Sequence, residues 1–322
     1  MPSTSANAIS EVEFETHRRE LTGYCYRMLG SGFEAEDAVQ ETMVRAWRGA
    51  DGFEGRSGVR SWLYRIATNV CLDMLRGAQR RARPIDLGPA APASSALGAG
   101  LPEVTWIQPI ADERILPEGR DPANVATARE SVRLAFVAAL QHLPPRQRAV
   151  LILREVLCWR AAEVAELLGT SVASVNSALQ RARATLETTE VDDTPSQLGD
   201  EERELLARYV DAFERYDIDA LVKLLREDAV FTMPPFALWL RGRVEISRWY
   251  LGQGIGCRGS RLIATAANGC AAFGAYKLAG PGLRLPFALQ VIEVSHGRIC
   301  GLHHFLGPKL FTVFGLPARL ED

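Results

Sequence analysis

The 322-residue sequence has no apolar run approaching the ~20 residues needed to cross a bilayer, and its N-terminus lacks a basic stretch leading into an apolar one. Those absences argue against a membrane or exported class, so the expectation is a cytoplasmic chain with no membrane contact. Cysteine is scarce and scattered, at 25, 71, 158, 257, 270 and 300, without the paired spacing of a zinc site or a redox motif. Buried reduced thiols are expected, with no metal and no cofactor. An excess of positive charge is also missing. The formal net charge is −2, which taken alone speaks against a nucleic-acid partner, and no internal repeat signals a solenoid. What is present, 47% hydrophobic and 24% charged side chains, is enough for substantial cores in two or three domains.

The near-neutral total conceals an uneven distribution. Residues 129–186 carry Arg129, Arg133, Arg146, Arg148, Arg154, Arg160, Arg181 and Arg183 against Glu130, Glu155, Glu163 and Glu166, a local surplus of positive charge. Acidic flanks offset it, with Glu187, Glu190, Asp192 and Asp193 on one side and an acid-rich stretch over 82–128 on the other. Binding depends on the local patch, so a nucleic-acid partner remains open.

Helical periodicity over 11–81 ends in "RGAQRRARP" and gives way to "LGPAAPASSALGAGLP", the composition of a flexible linker. A second helical block follows, then "EVDDTPSQLGD", and finally one long helical pattern and the strand-like runs "LIATAA", "AAFGAYKLA", "LPFALQVIEV" and "RICGLHHFL". Within the linker, "EVTWIQPIADERILPE" places Trp106, Ile107 and Ile110 where a solvated tether has no use for them.

In the second block, Pro144 and Pro145 open a helix through "RQRAVLILREVL", and "RAAEVAELLG" makes a short one stopped by Gly169. Thr170 or Ser171 caps the next. There Val172, Val175, Leu179, Ala182 and Leu186 share one face, leaving Ser174, Ser177, Gln180, Arg181 and Ala184 outward. A plain helical hairpin would show the same pattern. The tight turn and basic surroundings favour a helix-turn-helix that reads the major groove.

In the first block, "EAEDAVQETMVRAWRGAD" turns Val39, Met43, Ala46 and Trp47 inward and leaves Asp37, Gln40, Glu41, Val44 and Arg48 as a second stripe, which a solvated face would also explain. After Ser57, a candidate cap, Leu63, Ile66, Ala67, Val70 and Met74 form a seam beside Trp62, Arg65, Asn69, Asp73 and Arg76. Aromatics alternating with arginine suit single-stranded nucleic acid, although Trp62 and Tyr64 serve equally as core.

The ordered pair "DAVQETMVRAWR … GRSGVRSWLYRIATNVCLDMLR" and "LPPRQRAVLILREVLCWRAAEVAELLGTSVASVNSALQRARATL" resembles an extracytoplasmic-function (ECF) sigma factor. The resemblance implies a multidomain chain: an all-α region 2 domain at 11–81, a linker at 82–128 and an all-α region 4 helix-turn-helix domain at 129–188. It implies a factor that binds core RNA polymerase and promoter DNA, Asp37, Gln40, Glu41 and Arg48 docking on the clamp helices of the largest subunit and region 4 reaching the flap. Arg60, Trp62, Arg65, Asn69 and Arg76 would take the minus-ten strand. Ser171, Ser174, Asn176, Ser177, Gln180, Arg181 and Arg183 would read the minus-thirty-five element. Asn176 and Ala178 stand where such factors commonly carry basic residues, which weakens independent binding there and lowers its salt slope. The linker could thread the polymerase cleft or dock on the chain's own C-terminal domain.

Residues 198–322 exceed a minimal factor of this kind. "LREDAVFTMPP", "RGRVEISRWYL" and the strand-like runs resemble a SnoaL-like domain, an α+β cone with a pocket. Candidate pocket residues are Met233, Phe236, Trp239, Tyr250, Phe273, Tyr276, Phe287 and one of His303 and His304, since adjacent strand residues point to opposite faces. Such a wall suits a small apolar ligand or none. The expected function is a promoter-specificity factor, monomeric when free, regulated intramolecularly by this domain. The alternative is an isomerase- or cyclase-type enzyme, using Asp228, His303 or His304, tethered to a DNA-binding module.

Overall fold

A computed structural model describes residues 11–50, 53, 58–116, 122–187 and 199–321. The candidate cap Ser57, most of the loop before Arg60 and the acidic stretch 188–198 lie outside the described residues. The chain forms two compact units, Met1–Arg81 with Glu113–Val191, and Ala82–Asp112 with Asp192–Asp322.

In the first unit, α1 (Glu11–Leu29), α2 (Gly32–Gly49) and α3 (Val59–Met74) pack on one another. Ser31 starts α2, its hydroxyl accepting the Glu34 amide at 3.2 Å. The inward face of α2 is Ala35, Ala38, Val39, Thr42 and Ala46. Trp47, expected inward, is 75% exposed. Small residues at 38, 42 and 46 let α2 lie close to its neighbours, and Trp47, one step of about 100° further round, falls outside that contact.

The second helical block adds α4 (Pro122–Glu130), α5 (Leu134–Gln141), α6 (Pro145–Leu151), α7 (Ala161–Leu168) and α8 (Val172–Glu187). The helix expected through Leu157 changes character at Ile152, where residues Ile152–Val156 form a π-turn. Gly169 closes α7 at φ 59°, the left-handed conformation that glycine adopts without strain, and Ser171 caps α8 through the Ser174 amide at 3.1 Å. Val175, Leu179 and Ala182 are buried beneath α8, but Val172, expected with them, is exposed. It sits in the first turn of the helix.

Two arginines join the two blocks. Arg27 of α1, almost fully buried, donates from Nε to the Ser131 carbonyl at 3.0 Å and from Nη2 to the Ser131 hydroxyl at 2.6 Å. Arg148 of α6 donates to the Met28 carbonyl at the end of α1, to Gln141 Oε1 at 2.6 Å and to the Leu143 carbonyl at 3.2 Å. Burial pulls both guanidiniums down to about 10, so both stay charged near neutrality. Their charge rests on carbonyl dipoles, including those of a helix C-terminus, which favour a cation.

The second unit places α9 (Asp200–Arg215), α10 (Ile218–Leu224) and α11 (Arg243–Leu251) against one face of a sheet. Its strands are β1 (Leu225–Thr232), β2 (Trp239–Arg241), β3 (Arg261–Ala267), β4 (Cys270–Gly280), β5 (Leu283–Ser295), β6 (Arg298–Leu306) and β7 (Leu320–Glu321). The order is β2-β1-β6-β5-β4-β3, with β7 on β5 and only β1 and β6 parallel among these pairs. Register shifts in β4, β5 and β6 bend the sheet around the helices. This is the expected α+β cone. Phe231, Phe273, Ala275, Ile292, Val294 and Leu302 face the helices, while α12 (Lys309–Val313) covers part of the other face.

Residues 82–112, the first part of the linker, belong to this second unit, in keeping with the alternative that the linker docks on the chain's own C-terminal domain. Trp106, Ile107 and Ile110 are 1–3% exposed. Each such burial contributes about 1.5–3 kcal/mol. Ala93 joins the core beneath α11, with Ala91 and Leu97 packed at its edge. Backbone bonds fix the path: the Ala91 amide donates to Trp239 at 2.9 Å and the Leu101 amide to Pro235 at 2.8 Å. The Ala93 amide donates to Glu245 Oε2 at 2.7 Å, holding that carboxyl below its usual range.

Candidate nucleic-acid interface

The two helices proposed to meet DNA differ in what surrounds them. On α8, Ser171, Ser174, Asn176, Ser177, Gln180 and Arg181 are all exposed, while Ala178 is half-buried. Ser171 is committed to capping. Arg183 is paired with Glu155, its Nε 2.6 Å from Oε1, so it is the one candidate already carrying an anionic partner. The face can make hydrogen bonds with base edges at its N-terminal end and place Arg181 near phosphate further along.

On and just after α3, most of the candidates are engaged within the unit. The Arg60 guanidinium lies 5.3 Å from the ring centroids of both Tyr64 and Trp159 and pairs with Glu20, Nη2 to Oε2, at 2.9 Å. Tyr64 and Trp159 themselves meet at 5.1 Å. Arg65 is 3.7 Å from Glu166 of α7, and Arg76 is 3.3 Å from Asp73. Trp62 is half-buried against Phe53, ring to ring at 4.9 Å, and Asn69 is exposed. Tyr64 is core: its hydroxyl is buried, and burial raises its pKa strongly. Trp159, Glu20 and Glu166 were not singled out from the sequence. Trp159 stands alone between two helical patterns, with no periodicity to assign its direction.

On α2, Asp37, Gln40, Glu41 and Arg48 are exposed along one side, with Glu41 held by Arg45 at 2.6 Å. Trp47 and Val44 add apolar surface to that stripe. A charged stripe with an exposed indole is better suited to a protein partner than to solvent alone.

In the second unit, the nine pocket candidates divide between two faces. Met233, Trp239, Tyr250 and Phe273 are buried, the first, third and fourth in the core between helices and sheet. Tyr276 packs on Phe311 at 5.0 Å and donates to the Pro317 carbonyl at 2.8 Å, on the opposite face. Phe236 and Phe287 are half-buried, Phe287 beneath Lys277 at 5.0 Å. Strand alternation separates the histidines as expected. His304 faces the core, its ring 4.8 Å from Phe231 and its Nε2 without a hydrogen-bond partner. Burial, reinforced by His303, lowers its pKa to about 3, so it is neutral under ordinary conditions.

His303 faces the other way. Its Nδ1 is 2.9 Å from Thr232 Oγ1 and its Nε2 3.2 Å from Glu293 Oε2. Gly301 makes that meeting possible, because a Cβ there would sit 2.7 Å from His303 Nε2 and 2.8 Å from Glu293 Oε2. Asp228 is exposed and bound to Arg226 at 2.8 Å, which holds its carboxyl below the usual range. Neither carboxylate therefore shares the interior with His304, and the acid–base pairing that isomerase chemistry requires is not assembled from Asp228, His303 and His304.

Models of Sigma-70 region 2 and Sigma-70 region 4 match residues 14–81 and 133–186. Both are regions of sigma factors, which are transcription initiation factors. The chain is 47% identical over 312 residues to the ECF RNA polymerase sigma factor SigG of Mycobacterium tuberculosis, covering 95% of this chain and 83% of that protein. It is 30% identical over 325 residues to SigJ of the same organism, covering 95% of each. The crystal structure of SigJ superposes with a TM-score of 0.63 at 26% identity, over 96% of this chain and 100% of that one. The chain belongs to the ECF RNA polymerase sigma factors, and its sigma domains imply binding to RNA polymerase and promoter DNA. Among the described residues no helix is long and apolar enough to cross a membrane.

Proposed function

We propose that this sigma factor docks on the clamp helices of the polymerase largest subunit through Asp37, Gln40, Glu41 and Arg48, with Trp47 as an added anchor, and that region 4 reaches the flap. Arg60, Trp62, Arg65 and Asn69 of α3, with Arg76 just beyond it, take the minus-ten strand. The α8 residues Ser171 to Arg183 read the minus-thirty-five element, and the C-terminal cone regulates the factor intramolecularly as a monomer. The observation that carries this is the α8 surface: an exposed polar face, capped at Ser171, with its apolar side buried on α6. The polymerase supplies most nonspecific phosphate contacts, so a chain of net charge −2 suffices.

Run-off transcription with core polymerase and a randomised promoter library tests it. The chain should select a two-part promoter, and Gln180→Ala or Arg181→Ala should relax selection upstream while leaving the downstream element intact. Equal loss at both elements would remove the assignment of α8. Glu41→Arg should abolish capture by core polymerase without altering thermal unfolding.

A further inference from the structure

We propose that the C-terminal cone carries a DNA surface of its own: Lys223, Arg241, Arg243 and Arg298, at the α10 end of the sheet, hold duplex phosphates outside the two promoter elements without reading bases. The proposal rests on the sigma-factor reading above and adds a contact to it.

Charge in the second unit is divided along the chain. Acids gather between residues 200 and 219, on α9 and the start of α10, and from 220 onward Lys and Arg are in clear excess. Most of the later acids are already engaged: Asp228 with Arg226 at 2.8 Å, Glu245 with Arg248 at 2.6 Å, Glu293 beside His303 at 3.2 Å and Glu321 with Arg319 at 2.7 Å. The remaining cations collect at the two ends of the sheet.

At one end, two guanidiniums converge on the close of α10. Arg298 donates to the Lys223 carbonyl at 2.8 Å, and Arg243 Nε donates to the Leu225 carbonyl at 2.8 Å, two residues further on. A helix C-terminus leaves carbonyls unpaired, and its dipole favours cations. Both guanidiniums are thus anchored by neutral oxygens, which fix their position without cancelling their charge. Lys223 is exposed beside them, and the pairing of Leu225 with Ile299 keeps Arg298 at the same edge. Arg241, opposite Val230 on β2, stacks on Trp239 at 5.3 Å. Arg241 and Arg298 are exposed and Arg243 half-buried. Against these four stand Glu227 and Asp228, the latter already held by Arg226.

The opposite end of β5 shows why the partner is DNA. There Arg258 lies over Tyr216 and Lys277 over Phe287, but Ile255, Leu278 and Leu285 add exposed apolar surface. A protein partner uses such apolar area at the centre of its contact. A phosphate backbone uses cations with open N–H donors and needs no apolar centre. At the α10 end the exposed large apolar side chain is Val244. Carbonyls two residues apart set the Arg243 and Arg298 guanidiniums on the order of 10 Å from each other, within reach of one strand whose charges recur every ~3.4 Å along the axis.

Holoenzyme assembled from core polymerase and the full chain, titrated onto a promoter duplex over a range of salt, tests the contact. Lys223→Gln, Arg241→Gln and Arg298→Gln combined should lower the slope of log affinity against log salt by about 2.7, or about 0.9 for each lost phosphate contact. Hydroxyl-radical protection outside the minus-ten and minus-thirty-five elements should disappear, while base selection within both is kept. Arg241→Gln alone should lower the slope by about 0.9 and carries the test if the combined variant does not fold. An unchanged slope and footprint would overturn the proposal. Arg258→Gln with Lys277→Gln, at the apolar end, should leave both readings as in the parent; an equal fall there would assign the slope to overall charge and also overturn it. So would weaker capture of core polymerase by the combined variant with the salt slope intact, which would give the surface to an acidic protein face. Failure of the parent holoenzyme to select any promoter would instead overturn the sigma-factor reading, and this contact with it.

Discussion

Helices α3 and α8 carry comparable sets of polar and basic candidates, yet the arginines of one are tied to neighbouring side chains while most candidates of the other meet only solvent. Arg60 is held between Tyr64 and Trp159 and Arg65 reaches toward Glu166, all within one unit, whereas Asn176, Ser177, Gln180 and Arg181 meet solvent. Exposure follows from what each helix must do for the fold. α8 buries one narrow stripe on α6 and α7, and among the described residues its opposite side meets solvent. α3 is packed on α1 and α2 and is also touched by α7, so part of its second face is engaged by side chains of the other helical block while Asn69 stays exposed. A nucleic-acid strand that uses Arg60 and Arg65 must compete with Trp159, Glu20 and Glu166.

The largest effect on the environment of α3 is expected at Arg148. Arg148→Ala leaves the Met28, Gln141 and Leu143 carbonyls without their donor and should destabilise the first unit by about 3 kcal/mol, read as a lower denaturation midpoint. It should also expose α3 to modifying reagents at concentrations of denaturant where the parent is protected. The second unit serves as a contrast. The His304 pKa of about 3 lies below the ordinary 6.5, so the unfolded chain binds a proton that the folded chain refuses. Stability is full above the unfolded value and falls as pH drops through it, by about 2 kcal/mol between pH 7 and 5. Denaturant melts of His304→Phe should lack that component, while the first unit's melt should not track it.

A milder perturbation sharpens the difference. Trp159→Ala uncovers the Arg60 side of α3 and should strengthen binding of a single-stranded minus-ten oligonucleotide by on the order of fivefold in fluorescence anisotropy, the value of part of one stacking contact. No gain would mean that Trp159 does not compete with DNA. On α8 the smallest effect is expected. Asn176→Lys adds a cation to a face already open, and the slope of log affinity against log salt for a minus-thirty-five duplex should steepen by about 0.9. The half-buried Ala178 should respond less to the same change.

Much of α8 was legible in advance, because a 3.6-residue period separates Val175, Leu179 and Ala182 from the polar side without help from the rest of the chain. Trp47 was not, since two adjacent residues compete for one inward position and only the spacing between helices decides. Arg148 reads in sequence as one more surface charge in a basic block, and its burial depends on carbonyls contributed by α1 and the α5–α6 turn. The linker gave a partial signal. Trp106, Ile107 and Ile110 announced a packing partner, but the bonds at Ala91, Leu101 and Ile110 are made by backbone amides, which carry no residue signature. The cone's strands were visible as alternating runs, whereas assignment of Tyr276 to its far face needed the position of Phe311.

Arg27 and Arg148 tie the two helical blocks together through carbonyl and hydroxyl oxygens. An apolar seam between the helical blocks would keep its full penalty when opened, because water makes a poor substitute for a methyl group. Guanidiniums bound to carbonyls are different: water can take over both sides of every such bond. Between its two helical blocks the chain has thus placed contacts whose rupture hydration itself helps to compensate.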